Sequence, residues 1–133
     1  MTEVRDAAEV LIASSKELDE LSKALMGCEL ELAPIERELE IFVADFQVAL
    51  YEEHRDKGER LPASEVRVAL AHRAFDRDRY NRYLALRAAR VRGRQRISDL
   101  KGIVDAQRSI LSALKIEVEA SEGPQPAWTP NGG

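Results

Sequence analysis

Apolar residues recur every seven positions along the first half of the chain. Two positions of each heptad, three residues apart, are occupied over seven consecutive heptads. The first positions are Val4, Leu11, Leu18, Leu25, Leu32, Leu39 and Phe46, and the second are Ala7, Ser14, Leu21, Cys28, Ile35, Phe42 and Ala49. This spacing places the side chains on one side of a helix and is typical of a coiled coil or a long bundle helix. We therefore predict a first helical arm over about residues 3–54.

Two residues inside this first arm, Gly27 and Pro34, are poor helix formers. Proline removes a backbone hydrogen-bond donor and can kink or end a helix. The heptad phase is unchanged across both residues, and Pro34 lies outside the apolar positions. The sequence therefore allows one kinked helix or two helices that meet near residues 27–34.

The predicted connection covers residues 55–64, where Gly58 and Pro62 interrupt the helical pattern and Ser64 with Glu65 is typical of a helix start. A second arm is predicted over residues 65–120, and poor apolar periodicity allows a break near residues 72–79. Its distal apolar positions are Ile97, Leu100, Val104, Gln107, Leu111, Leu114 and Val118. The two arms predict an all-α fold, a long antiparallel helical hairpin forming one domain over residues 1–120.

The middle of the second arm has two apolar sides. Extending the distal pattern backwards gives Gly93, Arg90, Leu86 and Tyr83, a thin seam whose glycine permits close approach. A second apolar line projects from roughly the opposite side and consists of Tyr80, Leu84 and Val91. One partner helix cannot cover both sides, so we expect a homo-oligomer with this second line at the interface. The alternative is that these are ordinary exposed apolar residues.

Composition agrees with long helices that have narrow apolar seams. Apolar residues make up 44% of the chain, charged residues 33% and aromatic residues only 5%. The single cysteine, Cys28, excludes an intramolecular disulfide, and neither a signal-peptide pattern nor a long apolar run is present. We therefore expect a cytoplasmic protein with no membrane association.

The tail over residues 121–133 is rich in proline and glycine and is expected to be disordered. Its Trp128 is either a partner-binding anchor or a residue without a dedicated role.

The chain lacks the residue patterns of an enzyme. His54 and His72 are far apart in the sequence and have no metal-ligand spacing around them. Cys28 occupies a seam position, which favours a buried inert thiol, and no glycine-rich phosphate loop is present. We therefore predict no catalysis, no cofactor and no metal site.

Charge is distributed unevenly within a formal net charge of −4. Residues 1–60 carry 7 Lys+Arg against 16 Asp+Glu, whereas residues 73–101 carry 10 against 3. Opposite arms of this kind can attract each other, within one chain or between copies. The basic arm can also offer a surface for a polyanion.

The basic arm supplies the candidate nucleic-acid-binding residues, because the planar guanidinium group suits phosphate. The candidates are Arg79, Arg82, Arg87, Arg90, Arg92, Arg94, Arg96 and Lys101, with Arg55, Lys57 and Arg60 as further contacts from the connection. Several such contacts would bind single-stranded DNA with weak sequence preference and strong salt dependence. The competing interpretation is that the acidic arm occupies these arginines.

The segments SEVRVAL at the start of the second arm and ISDLKGIVDAQRSILSALK at its end, on a helical hairpin, resemble phage recombination mediators of the UvsY type over roughly residues 30–115. The resemblance implies a ring-shaped oligomer that loads a RecA-like recombinase onto single-stranded DNA and displaces the single-strand-binding protein. It also implies the cytoplasm of a phage-infected bacterium and basic DNA contacts near the end of the first long helix. In this chain the cations nearest that position are Arg55, Lys57 and Arg60.

Two other functions fit the same sequence features. A coiled-coil scaffold or chaperone-like module would bind proteins and would depend on the acidic arm and the tail more than on the arginines. An inhibitor protein from a mobile element would use the acidic arm to mimic or block nucleic acid.

Overall fold

The computed structural model describes residues 2–122, with side chains described for residues 2–120. Three α-helices follow in order: α1 over Thr2–Lys57, α2 over Ser64–Ala74 and α3 over Arg77–Glu122. No strand occurs in this part of the chain, so the prediction of an all-α helical hairpin is confirmed. The last helix includes residues 121 and 122, which the sequence had assigned to the tail, and Trp128 lies outside the described residues.

The first arm is one continuous helix, because Gly27 and Pro34 both lie inside α1. Proline lacks the N–H that would bond to the carbonyl group four residues earlier, which belongs to Leu30. Both Pro34 and Leu30 are exposed, so water can reach this side of the helix. A helix can therefore tolerate proline at this position.

The end of α1 is set by local backbone geometry at Gly58. This glycine has a φ of 68°, in the left-handed region that residues with a Cβ atom avoid. Its N–H donates to the carbonyl of Arg55 at 3.2 Å, and the N–H of Glu59 donates to the carbonyl of His54 at 2.8 Å. These two bonds form a Schellman motif, which satisfies carbonyl groups in the last turn of the helix. The connection is consequently shorter than predicted, over residues 58–63.

The second arm is broken at Phe75 and Asp76, within the range where the sequence allowed a break. Phe75 has extended backbone angles, and its ring contacts that of Phe42 edge-on at 5.3 Å between centroids. The Asp76 carboxylate accepts a hydrogen bond from the backbone N–H of Arg79 at 2.9 Å. A side chain that accepts this bond caps the start of a helix and stabilises it. Asp76 therefore caps α3, which begins at Arg77, three residues after the last residue of α2.

The described residues form two compact units. In the unit of residues 2–23 and 94–122, the most buried side chains come from the two predicted seams: Ala7, Ser14, Leu100 and Val104. In the unit of residues 24–93, Leu32 and Ile35 of α1 pack with Leu86 of α3, and Cys28 and Tyr83 pack against this cluster. In each unit a segment of α1 packs against a segment of α3. The single domain over residues 1–120 stays a prediction.

The seam residues are placed as predicted, with one exception. Tyr83, Leu86, Arg90 and Gly93 are all buried or half-buried, which confirms the backward extension of the α3 seam. Ala49 is exposed and Leu50 is half-buried in its place. A helix with 3.6 residues per turn drifts about 20° per heptad from a strict seven-residue repeat, so a repeat read from the sequence fails near its end.

Gly93 does not require its small size. A Cβ atom added there would lie 3.6 Å from Cδ1 of Leu25, an ordinary van der Waals distance. The helices are therefore far enough apart at this point to accept alanine, and the close approach suggested by the sequence is not observed.

Two aliphatic residues of α1 test the packed seam. Leu32 is 0% exposed and Ile12 is 68% exposed. We expect Leu32→Ala to lower the free energy of unfolding by about 2–5 kcal/mol, because it leaves a cavity in the core. The control, Ile12→Ala, should change it by about 0.5 kcal/mol or less. Chemical denaturation measures both values, and equal effects would contradict the assigned burial.

Candidate functional site

Two arginines near the start of α3 are held by glutamates of α1. Arg79 donates from Nε to Oε2 of Glu38 at 3.0 Å and from Nη2 to Oε1 at 2.5 Å. Arg82 makes the same two-point contact with Glu31, through its Nε and through Nη2 to Oε1 at 2.8 Å. Two parallel bonds of this kind fix the direction of the guanidinium group as well as its position. Both arginines therefore direct their donors towards carboxylates of the same chain.

Two further arginines of the basic arm are also paired with α1. Arg90 donates from Nη1 to Oε1 of Glu36 at 3.1 Å, and its side chain is only 23% exposed because it occupies a seam position. Arg96 donates from Nε and Nη2 to the carboxylate of Glu17, over distances of 3.0–3.2 Å. Arg79, Arg82, Arg90 and Arg96 thus form ion pairs between helices.

The heptad repeat explains why these pairs form. Glu17, Glu31 and Glu38 each precede a seam leucine by one residue. Residues that flank an apolar seam face the partner helix at its edge, where opposite charges form interhelical salt bridges. The pairing is therefore a consequence of the packed seam.

The other candidates on α3 have different surroundings. Arg87 donates to the hydroxyl oxygen of Tyr83 at 3.2 Å and lies 5.3 Å from the centre of that ring. Arg94 also takes part in an interaction. Arg92 and Lys101 are exposed and form no hydrogen bond or ion pair among the described residues. These two are the predicted cations best placed to meet a ligand from solution.

The sequence placed three basic residues in the connection, and the structure places only one of them there. Arg55 and Lys57 belong to the last turn of α1, and only Arg60 lies in the connection. Arg55 lies 3.5 Å from Asp56, and the Nζ of Lys57 donates to Glu53 at 3.0 Å. Helix α1 ends at Lys57 and not near residue 54 as predicted, because the Schellman motif that ends it is formed at Gly58.

Folding offsets the uneven charge of the linear sequence. Residues 24–93 carry 12 Lys+Arg against 13 Asp+Glu. Residues 2–23 and 94–122 together carry 8 against 11. Neither unit has a net positive charge, since each brings part of the acidic arm to part of the basic arm. The long-range attraction of a polyanion is correspondingly weak.

A shallow groove of about 570 Å³ lies in the unit of residues 2–23 and 94–122. Lys101 and Arg108 line it together with Ser15 and Ser22. Asp19 and Asp105 also line this groove, and their charges offset those of the two cations. The groove is therefore a mixed polar surface and a weak candidate for an anion site.

A large apolar surface on α1, which the sequence reading missed, faces solvent in the unit of residues 24–93. Its five side chains are between 53% and 71% exposed. We call it the outer face of α1, and it consists of Met26, Leu30, Ile41, Val48 and Tyr51. At 100° per residue all five project within about 80° of one another, away from the packed seam. The signal was present as a second set of apolar positions with helical spacing.

The predicted oligomer residues divide into two kinds. Tyr80 is half-buried, with its hydroxyl group 3.1 Å from Nδ1 of His72 and its ring stacked on that of Tyr83. Leu84 and Val91 are exposed, Val91 to 66%. Tyr80 therefore makes contacts inside its own chain, and the two aliphatic residues are open to a partner.

His54 and Cys28 each contact a backbone carbonyl group. Nδ1 of His54 lies 2.9 Å from the carbonyl oxygen of Leu50, and the Cys28 thiol donates to the carbonyl of Leu86 at 3.3 Å. Within residues 2–120 no cluster of His, Cys, Asp and Glu side chains could hold a metal ion. No helix in the part of the chain that the structure describes is long and apolar enough to cross a membrane.

No protein-family model, no curated protein and no solved structure matches this chain. The resemblance to recombination mediators of the UvsY type therefore stays a prediction.

The Glu31–Arg82 pair predicts a pH dependence of stability. The hydrogen bond and positive charge of Arg82 hold the pKa of Glu31 below its ordinary value. A carboxyl group whose pKa is lowered by folding stabilises the folded state above the ordinary glutamate pKa, and this contribution is lost as the pH falls through the folded value. We expect Glu31→Gln to reduce the loss of unfolding free energy between about pH 5 and pH 3.

Urea denaturation at several pH values measures this slope. Arg82→Gln removes the partner instead of the carboxylate and should reduce the slope in the same way. A Glu31→Gln variant that keeps the wild-type slope would show that the pair does not contribute to acid sensitivity.

Proposed function

We propose that this chain is a non-catalytic helical scaffold that acts through protein–protein contact on the outer face of α1. The observation that carries the proposal is the exposure of five large apolar side chains on one side of that helix. A helix at the surface of a folded protein normally presents polar residues to solvent. Contiguous exposed apolar surface is a mark of protein interaction sites.

The charge arrangement supports the same function. Several arginines that could have formed a phosphate-binding surface are instead paired with glutamates of α1, namely Glu17, Glu31, Glu36 and Glu38. Removing such an arginine from its glutamate to bind phosphate would exchange one charge-assisted contact for another. The net gain from nucleic acid is therefore small at these positions.

A second candidate function is binding of single-stranded DNA as a recombination mediator, in the cytoplasm of a phage-infected bacterium. It is favoured by Arg92 and Lys101, which form no ion pair among the described residues, and by Arg87, whose contacts are with an uncharged tyrosine. In this function the partners would be a RecA-like recombinase and the single-strand-binding protein. The resemblance of the second arm to mediators of the UvsY type points the same way.

Site-specific cross-linking tests the scaffold function. A photoreactive phenylalanine analogue in place of Ile41 should form a covalent adduct with a protein when cells that contain the full chain are irradiated, because Ile41 lies at the centre of the outer face. The matched control is the same analogue in place of Ile116, an exposed isoleucine on α3. Mass spectrometry identifies the protein in the adduct. Adducts at both positions, or no adduct at position 41, would contradict the proposal.

Retention of a labelled single strand on a filter separates the two candidates. We expect no retention by the wild-type protein at about 50 mM salt, since neither unit carries net positive charge. Retention that is lost in Arg92→Glu plus Lys101→Glu would establish the second candidate instead. The control variant, Lys16→Glu plus Lys23→Glu, changes the net charge equally at other sites and should then keep its retention.

A further inference from the structure

We infer that the outer face of α1 binds the outer side of α3 in a second copy of this chain. The inference rests on the proposed scaffold function and names its partner. Three residues at spacings of four and three positions form the surface that we call the outer face of α3: Leu84, Ala88 and Val91. All three are exposed, and they belong to the same unit as the outer face of α1.

The two faces have compatible shapes. Each consists of apolar side chains in helical register on the side of its helix opposite the packed seam. The spacings are 4, 11, 7 and 3 positions along α1, and 4 and 3 positions along α3. Two helices with such lines can pack side chains of one between side chains of the other. Ile41 and Val48 of the α1 face are seven positions apart, and so are Leu84 and Val91 of the α3 face, which corresponds to about 10 Å along each helix. The small Ala88 between Leu84 and Val91 leaves room for the bulkier side chains of the α1 face.

The two faces also have opposite charge. The carboxylates of Glu40, Asp45 and Glu52 flank the α1 face, and none of them forms a hydrogen bond or ion pair among the described residues. Arg37 and Arg55 lie on the same face, and Arg55 is 3.5 Å from the carboxylate of Asp56. The remaining three carboxylates against the one guanidinium group of Arg37 leave the face acidic. Arg87 and Arg92 flank the α3 face.

This charge pattern selects the partner. Opposite charges beside a packed apolar line favour one pairing, and like charges disfavour the alternatives. Pairing of α1 with α1, or of α3 with α3, would place like charges side by side. Pairing of α1 with α3 brings the carboxylates of one copy to the arginines of the other, which is the arrangement already present inside each chain between Glu31 and Arg82.

The contact uses two different surfaces, so it is heterologous. Each copy presents its α1 face to one neighbour and its α3 face to another. Repeated contacts of this kind form a ring if the rotation between copies closes, and an open assembly if it does not. An isologous dimer would use the same face twice.

Mixing of variants tests a heterologous contact. Ile41→Asp plus Val48→Asp disables the α1 face, and Leu84→Asp plus Val91→Asp disables the α3 face. All four residues are exposed, so the hairpin core is unchanged. We expect light scattering to show an assembly for the wild-type protein and a monomer for each variant alone. An equimolar mixture should give a complex of two chains, since one intact face of each kind remains.

A matched control uses two other exposed isoleucines of α3. Ile110→Asp plus Ile116→Asp makes the same chemical change away from both faces and should assemble as the wild-type protein does. Arg92→Glu provides a variant that leaves both apolar lines intact. It should raise the apparent dissociation constant about tenfold, as the loss of an interfacial charge pair would.

Each other outcome overturns the inference. A wild-type protein that stays monomeric at every concentration has no such contact. If the α3-face variant still self-associates, the partner of α1 is a second α1. A mixture of the two variants that remains monomeric excludes a heterologous contact. A cross-link from Ile41 to a different protein, with a monomeric wild type, overturns this inference and leaves the scaffold function standing.

Discussion

The packing of one apolar seam of α1 against one apolar seam of α3 is the interaction on which the rest of this structure depends. Each helix has a narrow apolar stripe that it cannot bury alone, and the side chains of Leu32, Ile35 and Leu86 form a core only when the two helices meet. Once this seam is packed, the rotation of each helix about its axis is set. Every other side chain is then directed either to the edge of the seam or to solvent.

The ion pairs follow from that rotation. Glutamates one residue before a seam leucine meet arginines of α3 at the edge of the interface, as in the pairs Glu31–Arg82 and Glu38–Arg79. Acidic and basic residues are segregated along the sequence, but neither folded unit has a net positive charge. The arginines of the basic run therefore have carboxylates of α1 beside them once the chain is folded.

The same rotation exposes the outer faces of both helices. With the inner seam occupied, Leu30 and Ile41 on α1 and Val91 on α3 remain more than half exposed to solvent. The charged side chains beside these exposed apolar residues are mainly acidic on α1 and basic on α3. Both proposals, scaffold function and association through α1 and α3 of different copies, derive from this remaining surface.

The sequence by itself determined the features that depend on local interactions. The seams follow from helical spacing and the turn from Gly58, because each involves residues only a few positions apart. For the start of α3 the sequence indicated only a break near residues 72–79, and the Asp76 cap was found in the structure. Tertiary structure alone decided which arginines are paired, since Arg82 and Glu31 meet across 51 positions of the chain. It also decided that Leu50 rather than Ala49 is half-buried and that Tyr80 contacts His72. The physical reason is that helical drift and the neighbouring helix set these contacts, and neither is contained in a seven-residue repeat.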